Sequence, residues 1–440
     1  MYLWRPITLR SGVSEGPTVS GVYVVDNKSN EEHVIALSAA LHSQLKVRQG
    51  RAVGSLESSL TAVIWEDLVL VNQIDLPEVA GQLQTLQSAF TYPEPTFLRF
   101  KFADTTRINS RLRAARPLRA ASIDSKSVTQ QVTITSSPFA SAHAALFHGY
   151  ISSGVISQVL ASLVLLDARY LDGMEGGLVN TAQASVGIVL GPLIKSNGEG
   201  RLLAAVPWRV LIRHLFPVEN HLADGLYSYA PGLWQGVVSI LIRRRQAVSW
   251  GSGVLIAPDT ILTNNHVVRD HEKENIEIWA GDKEQRHVRD IEHPAPGLDL
   301  VLMRLDNPIL SLEPVTIAAK DAEEGSRVRS VGFGLFLPRP SSLPLESRGI
   351  VSKHVPGMLV TSAGCWNGSS GGGLFNDAGD LVGMMASNVR DNTTGEIMPD
   401  LSMSIPASVI TGAIRTKSVS KEVARLWRLE PSYKEIRAKL

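Results

Sequence analysis

The sequence predicts an all-β protein that uses one plan twice. Three observations predict it. Short apolar or alternating runs separated by turn residues fill the second half, as in barrels or sandwiches rather than βαβ units. A stretch of the first half returns 195 positions later with its glycines in register. A serine flanked by glycines sits at the same point of the second copy.

The runs of the second half are 237–242, 253–256, 261–263, 276–279, 300–305, 327–331, 358–361 and 381–386. Arg243-Arg244-Arg245 separates the first two and reads as a solvated hairpin turn. The repeat aligns 154–177 with 349–372 without a gap, at six identities in 24 positions. After one inserted glycine, 178–189 matches 374–385 with five identities in 12. Turn glycines and strand apolars are what two copies of one fold retain. Glu175 then falls at the position of Ser370, so the first copy is expected to lack a nucleophile. Ser20-Gly21-Val22 pairs with Ser252-Gly253-Val254, after which the spacing drifts; either His33 or Ala39 falls opposite His266. The expected domains are 1–230, a degenerate copy with a mobile basic loop over 104–131; 231–417, the catalytic copy; and 418–440, a short helix and tail.

Composition excludes several classes. Of 440 residues, 44% are hydrophobic and 19% charged, which describes a globular chain with a large core. A net charge of +1 provides no field for nucleic acid or an anionic membrane. No apolar window approaches bilayer length. The single cysteine, Cys365, cannot close an intrachain disulfide, and the N-terminus lacks a secretory pattern. A reducing compartment is expected. The last residues, Ala438-Lys439-Leu440, are close to the Ser-Lys-Leu peroxisomal address. No metal or cofactor is called for.

The candidate chemistry lies in the second copy. His266 ends an apolar strand, Asp299 opens one, and Ser370 stands in Asn-Gly-Ser-Ser-Gly-Gly-Gly. A serine hydroxyl needs an adjacent base to attack, and His266 is the candidate. Asp299 would hold the other ring nitrogen. The backbone N–H groups of Gly368 and Ser370 are the candidate oxyanion donors. Gly364 and Cys365 are candidates for the substrate pocket, with an uncharged floor.

Leu-Thr-Asn-Asn-His-Val-Val at 262–268, Gly-Phe-Gly at 332–334, Gly-Ile-Val-Ser at 349–352 and Met-Ser-Ile-Pro at 403–406 resemble the HtrA/Deg serine proteases. Ser-Pro-Phe at 137–139 and the run at 166–177 are similar to the degenerate first half of the peroxisomal and glyoxysomal processing branch of that group. The resemblance implies a trypsin-like double β-barrel protease domain behind a degenerate copy, with the triad on His266, Asp299 and Ser370. It implies a peroxisomal matrix enzyme that removes N-terminal targeting peptides from imported proteins, processes some others bearing C-terminal signals and can cut itself. Its partners would be those matrix proteins and the import receptor that reads Ala438-Lys439-Leu440; the oligomeric state is left open, with a homo-oligomer as one option. A cytosolic quality-control protease and an inactive peptide-binding scaffold are the rival readings. Two departures from that pattern follow: Ser369 stands where digestive proteases carry Asp, so activation by a buried new N-terminus is not expected, and the stretch after Ile410 is too short for a PDZ domain, so gating by one is not expected.

Overall fold

A computed structural model describes residues 2–10, 18–26, 31–40, 62–64, 68–86, 90–91, 94–103, 119–120, 123, 127–128, 130–139, 147, 149–182, 184–195, 202–215, 236–243, 247–281, 284–339, 342–390 and 397–427. The chain divides into two compact units, Met1–Ala230 and Pro231–Leu440.

The first unit carries β1 (Tyr2–Arg10), β2 (Thr18–Asp26), β3 (Glu31–Leu37), β4 (Ala62–Ile64), β5 (Leu68–Asp75), β6 (Phe90–Thr91), β7 (Thr96–Phe102), β8 (Arg119–Ala120), β9 (Gln131–Ser136), β10 (Tyr150–Val159), β11 (Val164–Ala168), β12 (Leu178–Asn180), β13 (Ala184–Lys195) and β14 (Leu202–Pro207). Its first sheet runs β4-β1-β2-β3-β7-β5. Its second runs β12-β9-β10-β11-β14-β13, with β12 returning to pair β13 and with β6 and β8 added to β13.

The second unit carries β15 (Val237–Arg243), β16 (Val248–Ala257), β17 (Thr260–Thr263), β18 (Ile276–Ala280), β19 (Glu284–Glu292), β20 (Val301–Leu305), β21 (Arg327–Gly332), β22 (Leu345–Val355), β23 (Met358–Thr361), β24 (Gly373–Phe375), β25 (Leu381–Arg390) and β26 (Ile397–Pro406). They form two closed six-stranded barrels, β15-β16-β17-β20-β19-β18 and β21-β22-β23-β26-β25-β24. Each sheet of the first unit repeats the strand order of one barrel. Among the described residues the first unit's first sheet does not close on itself; three-residue β4 pairs β1 in parallel, whereas β18 pairs β15 antiparallel.

Alternation makes these strands. In β18, Ile276, Ile278 and Ala280 are buried between half-exposed Glu277 and Trp279. With Val238, Ile240, Leu255, Ile261 and Met303 they fill the interior of the first barrel. Val328, Val351, Leu359, Leu374 and Val382 fill the second. β19 escapes a reading by pattern. It reads Glu-Gln-Arg-His-Val-Arg-Asp-Ile-Glu and buries Val288 alone, and its place is set by pairing with β18 and β20.

The register decides the alternative left open opposite His266. Val22 pairs Ile35 in the first unit and Val254 pairs Leu262 in the second. Counting on from those pairs, Ala39 takes the place of His266. It lies in a helical turn at 38–40, matching the short helix Asn265–Val268. His33 sits mid-strand, opposite Val24, with its ring against the Arg99 guanidinium.

The basic loop expected over 104–131 needs correction at its far end. Arg119–Ala120 joins β13 in parallel, and Ile123 packs in the core with Val132 and Ile134. Apolar Ile123 and Val128 bury themselves there, against the polar character of their neighbours. In the segment 418–440, helix is described over Lys421–Trp427. It docks by Val423 against Gly357 and by Trp427, whose indole N–H donates to Gly357 O. Arg107, Arg111, Arg113, Arg116, Arg244, Arg245 and Ala438-Lys439-Leu440 lie outside the described residues.

Candidate active site

His266 is delivered by the first barrel of the second unit. β17 ends at Thr263, and the chain turns into Asn265–Val268. β17 pairs β20, with Thr263 opposite Val301, which sets Asp299 beside the turn. Asp299 then grips His266 twice. Its Oδ1 accepts the His266 backbone N–H at 2.9 Å, and its Oδ2 accepts the ring Nδ1–H at 2.7 Å. The Asp299 side chain is 4% exposed and that of His266 27%. A buried carboxylate on Nδ1 fixes the tautomer in which Nε2 is the free acceptor.

The serine turn comes from the second barrel. Ser369 N–H donates to Trp366 O at 2.7 Å, with Gly368 at φ +93°, as the third position of a type II turn requires. Gly371 follows at φ +84°, and a Cβ there would overlap Ser252 O and Thr263 Oγ1. Glycine at 371 thus lets the serine turn lie directly against the end of the strand that leads to His266. The contact is sealed by Ser252 N–H donating to Ser370 O at 2.8 Å and by Thr263 Oγ1 donating to Ser252 O at 2.7 Å.

Among the described residues, neither Gly368 nor Ser370 donates its backbone N–H to a protein acceptor. These are unpaired donors on either side of Ser369. The hydroxyl itself donates to Ala386 O at 2.9 Å rather than to His266. Ser369 is buried, and its hydroxyl accepts Trp366 N–H at 3.3 Å. No carboxylate stands there to await a terminal amine.

Two supports were not singled out from sequence. Ser252 Oγ donates to Gly368 O and accepts Phe333 N–H, each at 2.8 Å, and so braces the turn. Asn264 Nδ2 donates to Asp299 O at 3.0 Å. Both residues stand inside quoted motifs, but neither a strand serine nor an asparagine at a helix start gives a local sign of so distant a partner.

Gly364 is walled in. A Cβ on it would come within 2.9 Å of Trp366 Cζ2, so the indole fills the space in front of it. Cys365 is buried, and burial alone pushes its thiol up to about 12, which removes it as a nucleophile at neutral pH.

At Glu175 in the first unit, the Tyr170 hydroxyl donates to Oε1. Burial, followed by the carboxylate, raises the phenol well above its usual range. By register, Thr96 takes the place of Asp299, since Ala36 pairs Leu98 where Thr263 pairs Val301. Ala39, Thr96 and Glu175 therefore stand where the second unit has His266, Asp299 and Ser370.

Residues 251–384 match the family described as trypsin-like peptidase domain. The chain is similar to the human peroxisomal leader peptide-processing protease, at 32% identity over 340 residues, covering 69% of this chain and 58% of the relative. The mouse protein of the same name matches at 31% over 338 residues, 68% and 58%. A probable periplasmic serine endoprotease, DegP-like, of Pseudomonas fluorescens matches at 28% over 192 residues, 42% and 38%. The chain thus spans somewhat over half the length of the human and mouse relatives.

Proposed function

We propose that the protein is a serine endopeptidase that processes peroxisomal proteins, a reading supported by the match of residues 251–384 to the trypsin-like peptidase domain. The observation that carries the chemistry is the double grip of Asp299 on His266 beside a serine turn with unpaired amides. The compartment and substrate class rest on the names of the human and mouse relatives.

In the proposed mechanism, a substrate backbone N–H competes for Ala386 O and releases the Ser370 hydroxyl toward His266 Nε2. His266 takes the hydroxyl proton as Oγ attacks the scissile carbonyl. Gly368 and Ser370 N–H stabilise the oxyanion, each donor worth about 100- to 1000-fold in rate. His266 returns the proton to the leaving amine, and water repeats the sequence on the acyl-enzyme. Asp299 holds the ring and stabilises the imidazolium without being protonated itself.

A fluorophosphonate probe tests the chemistry: folded protein becomes labelled at Ser370. Folded protein that stays unlabelled supports the scaffold reading instead. Imaging of the tagged full chain and mass spectrometry of imported proteins with and without it test the compartment and the leader-removing role. A diffuse cytosolic signal with unchanged substrate N-termini overturns both.

A further inference from the structure

We propose that Asn264 is a positioning residue that holds the Asp299 backbone so that its carboxylate meets both donors of His266. The inference rests on the catalytic reading of the second unit.

Asn264 stands at the N-cap of the helical turn that carries His266, with φ −75° and ψ 144°. Asparagine is favoured there because its side-chain oxygen accepts an N–H of the first helical turn. This one makes no cap hydrogen bond. Its amide reaches across to Asp299 O at 3.0 Å, 35 positions away. The direction is fixed, because only the NH2 end can face a carbonyl. The other end, Oδ1, is buried without a partner. Burying an amide half satisfied works against folding. A polar group kept under that penalty at a catalytic loop points to function.

The first unit supplies the control. Ser20 reproduces the brace of Ser252: its Oγ donates to Gly173 O at 3.1 Å and accepts Ser137 N–H at 2.8 Å. That brace survives where Ser370, His266 and Asp299 have no counterparts, so it serves the turn itself. Asn264 does not survive. By register its place is taken by Leu37, fully buried and opposite Phe97. A leucine satisfies the fold at this position. The amide is present where a carboxylate must be aimed and absent where Thr96 has replaced it.

Two variants test the proposal on the full chain. Asn264→Leu installs the residue that the first unit uses, and Asn264→Asp keeps the shape while removing the donor. Both should lower kcat and the rate of fluorophosphonate labelling by at least about 10-fold, the scale of a displaced catalytic group, with KM unchanged. Asn264→Leu should melt no earlier than the native protein. The low-field proton resonance of His266 Nδ1–H should be sharp in the native protein and lost or broadened in both variants. The proposal is overturned if Asn264→Leu keeps the native resonance and labels within twofold of the native rate. A native protein that shows the resonance yet stays unlabelled fails the catalytic reading, and the inference with it. Lost rate with an earlier melt and an intact resonance assigns Asn264 to the fold and also overturns the proposal.

Discussion

The turn at 172–177 in the first unit and the turn at 367–372 in the second are held by the same bonds. Gly176 N–H donates to Val189 O as Gly371 N–H donates to Met385 O, both at 2.9 Å. Gly177 N–H bonds Met174 O as Gly372 N–H bonds Ser369 O, at 3.0 and 2.9 Å. Gly173 and Gly176 have φ of +88° and +81°, against +93° and +84° at Gly368 and Gly371. Ser20 and Ser252 brace them alike. The two turns differ in what they present. One offers the Ser370 hydroxyl, on a turn packed against the strand end that leads to a histidine gripped by a carboxylate. The other offers Glu175 to Tyr170, with Ala39 and Thr96 at the remaining places. Turn geometry and the side chains it presents are therefore separable: a frame of positive-φ glycines and one serine brace persists while the candidate reacting groups are exchanged.

The largest expected effect falls on the nucleophile. Ser370→Ala should lower peptide cleavage by about a millionfold, the scale seen for triad serines, and abolish fluorophosphonate labelling. Adding Glu175→Ser to that variant should leave it unlabelled, because Ala39 provides no base. Labelling of the double variant would break the comparison between the turns.

Next are the glycines. Gly371→Ala places a Cβ onto Ser252 O and Thr263 Oγ1, and Gly176→Ala places one onto Ser20 O. Each also puts a non-glycine residue at positive φ, at about 1–3 kcal/mol for the backbone alone. Both should melt earlier in calorimetry, and Gly371→Ala should also lose at least about 100-fold in labelling rate. A native-like melt for either one would show that its turn tolerates the side chain.

A smaller effect concerns pH and the first unit. Burial, helped by the Arg99 charge, lowers His33 from 6.5 to about 4. The unfolded chain then binds a proton that the folded one refuses between those values. Stability contributed by neutral His33 is complete above about 6.5 and is lost as pH falls toward about 4. Denaturant melts from pH 7 to 4 should show this slope, and His33→Gln should flatten it. The smallest effect is at Cys365, whose thiol should resist iodoacetamide at pH 8 until the protein is unfolded. Prompt alkylation of native protein would place that side chain in the open.

Much of the fold was legible because its signals are local. The strands of the second unit alternate, its turns are glycines, and the spacing from Gly349 to Gly372 repeats that from Gly154 to Gly177. β19 was not legible, since a strand that buries Val288 alone carries no apolar period. Nor were the pairing of Arg119–Ala120 with β13 and the burial of Ile123 and Val128, two apolar residues among polar neighbours. Ser252 and Asn264 were visible as residues but not as supports, because their partners lie 116 and 35 positions away.

Residue identity and short-range pattern alone indicated that the chain is β-rich, that it is duplicated, and that Ser370, His266 and Asp299 are the candidate reacting groups, with Glu175 at the serine's place in the first copy. Only the tertiary structure decided that Ala39 rather than His33 stands opposite His266, that Thr96 answers to Asp299, and that the Ser370 hydroxyl rests on Ala386 O. Glycine angles and apolar alternation act over a few residues and leave their mark in sequence. Strand register is set by hydrogen bonds between segments tens of residues apart, and a slip of one position changes every side chain that meets another.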